Sequence, residues 1–340
     1  MININIQDNH INIGIIGTGR IAARFLEESS YVSGINVSAI YNPHLESVLW
    51  FAKNNKIDID GPMILTDDIE VFFDSVDAVY IATPHETHTE YISTALRREK
   101  HVLCEKPLAP TPKQTVELFE AAKEKGVFLM EAYAYLHSPF VTALKKEIEE
   151  GTIGEIRYIE SQFLTSYYDK SNIRLHKENY GGAVYDLGCY NTSMLLKLLE
   201  DMPSRVKAMA QYDENGVDIY TAALLNYEND VRASITCGMI FEKDKPHRYD
   251  RLYIHGTKGD IKSDTKFNQE GNASYTLIIE GKEQIRNVCC PHNYQLEIEQ
   301  LGRCIIEGET PVVTADFSIK NAKILDAILQ EIGYFESNVM

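Results

Sequence analysis

The feature that most constrains this chain is a glycine turn set between a short apolar run and a helical pattern. Ile11–Ile16 is isoleucine-rich, as suits a strand covered on both faces. Gly17-Thr18-Gly19-Arg20-Ile21-Ala22 follows at once and opens the helical pattern Ile21–Glu28, fitting G-x-G-x-x-A. The first glycine permits a tight turn, and the second lets a pyrophosphate approach the backbone. The small third residue allows close helix–strand packing, and the helix N-terminus favours an anion. Glycines alone often only make turns. The strand before and the helix after make this a candidate dinucleotide site, with Gly17, Thr18, Gly19, Arg20 and Ile21 as its contacts.

The same rhythm continues for some 130 residues. Short apolar runs at Val37–Tyr41, Ala78–Ala82, His101–Cys104 and Val127–Met130 read as further strands. Between them, Tyr91, Ile92, Ala95 and Leu96 share one face of a helix over Thr87–Arg98, as do Val116, Phe119 and Ala122 over Pro112–Lys125. This βαβ order predicts a parallel, doubly wound sheet. The second half differs. Helical patterns at Pro139–Glu150 and Val184–Leu199 precede alternating segments in which Val206, Ala208 and Ala210, then Tyr220, Ala222 and Leu224, then Val231, Ala233 and Ile235 recur at every second position. Period-two alternation with short turns predicts an antiparallel sheet. Two helical patterns, about Tyr294–Ile306 and Asp316–Ile332, close the chain. The expected class is α/β followed by α+β: a parallel dinucleotide-binding domain over residues 1–134, then a second domain over residues 135–340 with a mainly antiparallel sheet. The final helix is free to pack back on the first domain.

Lys and Arg number 33 against 50 Asp and Glu, a formal charge of −17. So acidic a surface repels phosphate backbones and anionic lipid, which argues against nucleic-acid and membrane partners. No run approaches the ~20 apolar residues of a membrane helix. The opening MININIQDNH has neither a basic start nor a long apolar core, so no signal peptide is expected. The six cysteines form no CxxC pair and read as reduced thiols in a cytoplasmic protein.

Three further segments carry chemistry. The second strand ends in Tyr41-Asn42-Pro43-His44, with neither the acid that holds a ribose 2′-hydroxyl nor the arginine that accommodates a 2′-phosphate. Asn42 can bond a ribose, and the missing carboxylate leans slightly toward NADP over NAD. Lys106, in Glu105-Lys106-Pro107, lies just past the carboxyl end of a strand, where open parallel sheets bind ligands. In Tyr180–Tyr190, Asp186 and Tyr190 are spaced i, i+4 on a helix starting near Ala183, with Gly188 leaving room between them. His85 and His88 are not an HExxH pair and lack a third ligand, so no metal is expected. Cys189 points away from Tyr190 and reads as packing. Tyr135, His137 and His176 are candidates to line a substrate pocket.

Gly17–Ala22, Ile81-Ala82-Thr83-Pro84 with His88 beyond, His101 through Leu108, Gly151–Glu155, and Gly181-Gly182 through Asp186 to Tyr190 come in order from about residue 11 to 330. In this the chain resembles the Gfo/Idh/MocA oxidoreductase family. The resemblance implies a Rossmann domain with Thr83, Pro84, His88, Glu105 and Lys106 about the cofactor, followed over residues 135–340 by a substrate-binding and oligomerisation domain with a large, open, mainly antiparallel sheet. It implies Lys106 and Tyr190 at the reacting carbon and Asp186 orienting the substrate. Tyr190 in place of histidine resembles the branch of dihydrodiol and xylose dehydrogenases and glucose–fructose oxidoreductases. In that branch an arginine matching Arg174 touches substrate hydroxyls. Tyr180 and Pro43 depart from the family pattern, the first at a usual glycine and the second at the arginine common in NADP-using relatives.

The function this implies is hydride transfer between NAD or NADP and a carbinol carbon of a sugar, polyol or trans-diol. A phenol near pKa ~10 is a poor base, and a neighbouring ammonium favours the phenolate. Lys106 is expected to supply that field and Tyr190 to pass the proton. The alternatives are a non-catalytic dinucleotide sensor, which has no need of the Lys106 and Tyr190 pair, and an NAD-dependent glycosidase. A homodimer or homotetramer through the C-terminal sheet is the expected assembly.

Overall fold

The computed structural model describes residues 10–243 and 247–336. The reading of the opening residues as lacking a signal peptide therefore falls, but for His10, outside the described residues. The chain divides into two units. One runs to Ala134 and takes in Tyr294–Ser318; the other holds Tyr135–Asn293 and the chain from Ile319 on.

In the first unit β1 (Ile11–Ile16), α1 (Arg20–Ser29), β2 (Ile35–Tyr41), α2 (Leu45–Asn54), β3 (Ile64–Thr66), α3 (Ile69–Asp74), β4 (Ala78–Ile81), α4 (His85–Arg97), β5 (His101–Glu105), α5 (Pro112–Lys125) and β6 (Leu129–Ala132) alternate. The six strands form one parallel sheet in the order β3-β2-β1-β4-β5-β6. Ile13, Ile15, Val79, Tyr80, Val102 and Leu103 are wholly buried, so both faces of the central strands are covered. The chain reverses its lateral direction between β1 and β4, which puts the switch point of the sheet at their carboxyl ends.

Three elements escape the sequence reading. β3 has only three residues, too few to show a period, and α3 has six. α2 turns Leu45, Leu49 and Trp50 outward, which blurs its apolar stripe. α5 spans the expected residues, but its buried stripe is Thr115, Leu118 and Ala122 instead of Val116, Phe119 and Ala122. Thr115 can go inside because its hydroxyl donates to the Thr111 carbonyl at 3.0 Å, leaving no bare polar group.

The second unit holds α6 (Pro139–Glu149), β7 (Ile156–Ser166), a π-helical turn at Val184–Gly188, α7 (Cys189–Leu199), and seven strands in succession. These are β8 (Arg205–Tyr212), β9 (Asp218–Asn226), β10 (Arg232–Phe241), β11 (Arg248–Gly256), β12 (Gly259–Ser263), β13 (Gly271–Ile279) and β14 (Lys282–Cys290). The eight-stranded sheet runs β14-β13-β12-β11-β7-β10-β9-β8. Only the β7–β10 pairing is parallel. In β9 the buried face carries Thr221, Ala223 and Leu225, while Leu224, of the alternating set singled out in the sequence, faces outward.

α8 (Asn293–Glu307) and α9 (Ala315–Glu331) follow. From Tyr294 on, α8 belongs to the first unit, where the Arg24 guanidinium sits 5.1 Å over the Tyr294 ring. Glu297 of α8 is wholly buried there, and burial, reinforced by Glu105, pushes its carboxyl well up. The folded state thus holds a proton that the unfolded chain gives up near pH ~4.3. Its contribution to stability is present in acid and lost as pH rises above that value. Glu297→Gln, which keeps the shape of the neutral acid, should therefore unfold at a higher temperature than the parent. The gain should be smallest near pH ~4.5 and grow toward pH ~8.5. Melting curves across that range check it, and a difference independent of pH would refute it.

Candidate active site

The glycine turn lies at the switch point. Gly17 has φ of +109°, and a Cβ there would stand 2.6 Å from the Ala82 carbonyl oxygen, so only glycine lets the ends of β1 and β4 come this close. A Cβ on Gly19 would meet no atom within 4 Å, so the space over the turn is open. α1 begins there with no capping side chain and no acid in its first turn, leaving its N–H groups and positive dipole end for an anion. Arg20 is exposed beside it. These features fit a dinucleotide pyrophosphate. Asn42 faces the turn and donates from Nδ2 to Thr18 Oγ1 at 3.0 Å, while its Oδ1 accepts the His44 N–H.

Thr83 and Pro84 follow β4, and Pro84 caps α4. The Thr87 hydroxyl donates to Thr83 Oγ1 at 2.7 Å. Glu105 ends β5 and accepts the Tyr80 hydroxyl at 2.6 Å. Lys106 comes next and is 8 % exposed. His88 is wholly buried, with Nδ1 2.9 Å from the Pro107 carbonyl oxygen and Nε2 3.0 Å from that of Thr83. Burial lowers its pKa.

In the second unit Tyr190 is the second residue of α7, two past the π-helical turn, and is half-buried. Three aromatic rings wall it, Tyr135 at 5.6 Å, Phe163 at 5.6 Å and Phe267 at 5.3 Å between centroids. Tyr135, read as a pocket residue, turns its hydroxyl to Ser193 Oγ at 2.7 Å and to the Tyr190 carbonyl at 3.3 Å; it packs beside Tyr190 and holds the helix. Asp186 is buried and accepts from Arg174 Nε at 2.7 Å. Arg174 also lies 5.1 Å over the Tyr168 ring. Asp186, Tyr168 and Tyr190 all favour its charged form. Cys189 is buried, as its place on the helix implies. His176 Nε2 lies 3.0 Å from the Lys170 carbonyl oxygen in the loop before the helix.

Sequence reasoning missed Arg248, Asp250, Phe163 and Phe267. Arg248 donates to both carboxylate oxygens of Asp250, at 2.7 and 2.6 Å, and lies 4.4 Å over the Phe163 ring. Asp250 in turn accepts the Phe267 N–H at 2.8 Å, which fixes the ring that walls Tyr190. Tyr190 also favours the charged form of Arg248. Arg248 and Asp250 sit two apart on one strand and so share a face, which was the available signal.

A Rossmann-type sheet with an open glycine turn, joined to a unit that holds a walled phenol between two guanidinium groups, defines a nucleotide-dependent oxidoreductase. Residues 11–133 match the oxidoreductase family with an NAD-binding Rossmann fold, and residues 141–262 match the GFO/IDH/MocA C-terminal domain. The chain belongs to the GFO/IDH/MocA family and binds a nicotinamide dinucleotide. Trans-1,2-dihydrobenzene-1,2-diol dehydrogenase of Xenopus tropicalis is 28 % identical over 335 residues, 94 % of this chain and 97 % of the relative. D-xylose 1-dehydrogenase (NADP(+)) 2 of Haloferax volcanii is 30 % identical over 261 residues, 76 % of this chain and 78 % of the relative. Among solved structures, a 3-ketoreductase from Actinomadura kijaniata in complex with NADP and TDP-benzene superposes with a TM-score of 0.87 at 26 % identity, covering 95 % of this chain and 98 % of that one.

The Arg174–Asp186 pair gives a direct test. Asp186 is nearly inaccessible and Arg174 partly so, so removing the cation strands a buried carboxylate. Arg174→Ala should cost about 2 kcal/mol of stability, and adding Asp186→Asn should recover about half of it. Denaturant unfolding of the two single variants and the double variant checks this; simple addition of the two losses would refute it.

Proposed function

We propose that this protein moves a hydride between NAD(P) and a carbinol carbon of a sugar, polyol or trans-diol, with NADP the favoured cofactor. The observation that carries this is the half-exposed Tyr190 phenol, walled by aromatic rings and set in the field of Arg174 and Arg248. The bound nicotinamide supplies the hydride chemistry, and the chain supplies the proton path. Tyr190 takes the hydroxyl proton on oxidation and returns it on reduction. Guanidinium groups nearby favour a phenolate, so Arg174 and Arg248 take over part of the role expected of Lys106 alone. Lys106 orients the reacting hydroxyl as a fixed donor. Asp186, held by Arg174, aligns the substrate's other hydroxyls, and His176 lies in the same loop region. No carboxylate stands at the end of β2, where Asn42 is turned to Thr18, which supports room for a 2′-phosphate beside exposed Arg20. Both the xylose dehydrogenase and the ketoreductase are named with NADP.

Absorbance at the nicotinamide band with NAD and NADP against aldoses, inositols and trans-diols tests the reading. Tyr190→Phe should lower kcat ~10²–10⁴-fold and leave cofactor affinity nearly unchanged, since a proton-transfer group acts in the transition state. Lys106→Met should lower kcat and raise KM together. Equal losses of kcat and cofactor affinity in Tyr190→Phe would refute its role.

The reading extends to assembly. Met209 and Leu224 stand 80 % and 63 % exposed on the outer face of the sheet, and Ile285 is exposed on the same face at the opposite edge strand. Met209 and Leu224, on neighbouring strands, form an exposed apolar patch that supports self-association there. Met209→Glu with Leu224→Glu should halve or quarter the mass measured by light scattering; an unchanged mass would refute this interface. No disulfide joins any of the six cysteines and five of them are buried, which supports work in the reducing cytoplasm.

A further inference from the structure

The peptide group that follows Lys106–Pro107 is gripped at both ends. Its carbonyl, that of Pro107, lies 2.9 Å from His88 Nδ1. Its N–H, that of Leu108, donates to Glu131 Oε1 at 2.9 Å. Both gripping side chains are buried, at 0 % and 4 % exposure. The second nitrogen of His88 lies 3.0 Å from the Thr83 carbonyl oxygen, just past β4. Glu131 stands on β6, paired opposite Cys104 of β5. One imidazole and one carboxyl therefore tie the ends of three neighbouring strands to the residue beside Lys106.

A buried turn needs its N–H and C=O satisfied, but neutral partners would do this at less cost. Burying two ionisable groups is expensive, so their retention calls for a reason beyond filling valences. The imidazole is also short of donors. Both its nitrogens face carbonyl oxygens, and a neutral ring has a single N–H for the two. Which carbonyl receives that N–H decides which turn is held.

We propose that His88 and Glu131 are positioning residues that hold Lys106 in its working place through the Pro107–Leu108 peptide, with Glu131 acting as the carboxylate and His88 donating to Pro107. This rests on the role given to Lys106 above. Glu131 is faced by Lys106, Glu105 and Cys104, and His88 by Lys106 and by the His85 ring at 5.7 Å. Burial pushes the Glu131 carboxyl up to about 7, against the pull of the Ser318 hydroxyl, the Leu108 N–H and the Lys106 charge. The grip is thus strongest above neutrality. It weakens as pH falls below about 7 and Glu131 takes up a proton.

The test reads Lys106 itself. Protein grown on [ε-¹³C]lysine, with the Lys106 signal assigned through Lys106→Arg, is titrated by NMR from acid to base. The parent signal should step with an apparent midpoint near 7. Glu131→Gln, whose Oε1 still accepts the Leu108 N–H, should abolish the step and leave the melting curve cooperative. In turnover with the best substrate of the panel, Glu131→Gln should lose the acid limb of kcat and fall about tenfold at pH 8, with KM within about twofold. His88→Asn, which places a donor where Nδ1 stands, should keep kcat within about threefold, while His88→Gln, which reaches only toward Thr83, should lose about tenfold. A Lys106 signal with no step near 7, or a step that persists in Glu131→Gln, overturns the grip whatever the activity. Equal behaviour of His88→Asn and His88→Gln overturns the assignment of the donor to Pro107. Lys106→Met at the parent rate overturns the chemical role of Lys106 instead, and the NMR step then decides the grip by itself.

Discussion

A parallel sheet covered on both faces has no side on which a working group can stand. Every central strand of the first unit is buried front and back, so polar chemistry surfaces only where strands end. The turns at those ends still carry backbone N–H and C=O groups that must find partners away from water. Much of what surrounds Lys106 follows from this. Gly17 lets two strand ends meet, Glu105 takes the Tyr80 hydroxyl, and His88 and Glu131 take the two ends of one peptide group. The residues of the candidate site are thus also the ones that satisfy the backbone groups at the ends of the sheet.

The second unit meets a different constraint. Its sheet has one inner face, and the helical segment Val184–Leu199 packs there. That segment starts from a buried carboxylate. Asp218 accepts the Val184 N–H at 2.9 Å and the Thr221 hydroxyl at 2.8 Å, and burial pushes its carboxyl up to about 7 even so. Gly182 has φ of +112°, and a Cβ there would collide with the Asp218 carboxylate. The Gly181-Gly182 pair is thus required for the helix to begin where it does, and the start of the helix sets where Tyr190 stands. Tyr135 then holds the first turn of the helix from the side through Ser193 and the Tyr190 carbonyl.

What could be read from the sequence was whatever leaves a local pattern. The strand–glycine–helix unit at Ile11–Ser29 did so, as did the helices at Pro112 and Pro139 with proline at their first turns and threonine or serine caps. Asp186 and Tyr190 were visible through their spacing. Partners set by pairing across the sheet were not. Nothing near Leu108 points to Glu131, because their contact depends on β6 lying beside β5. Phe267 reaches Tyr190 only because Asp250, 17 residues earlier, fixes its backbone. Tyr135 reads as a pocket residue because an aromatic follows a strand end; its ring does stand against Tyr190, while its hydroxyl also holds the helix, which no local pattern shows. The stripe of α5 was off by a residue because a threonine bonded to its own helix buries as well as a valine.

The charges about the two candidate groups differ in sign, and this bears on which of them moves a proton. Lys106 sits next to Glu105 in sequence and acts on the buried Glu131, while Glu297 shares the same interior as Glu105. Carboxyls around an ammonium hold its proton in place, and they do so more strongly as water is excluded. Tyr190 is among the groups favouring the charge on Arg174 and on Arg248, and by reciprocity both guanidinium groups favour a negative phenol oxygen. Each arginine is itself fixed by a buried aspartate, so neither is free to follow a substrate away. These signs support the proposed division of roles, with Tyr190 exchanging the proton and Lys106 donating to the substrate oxygen.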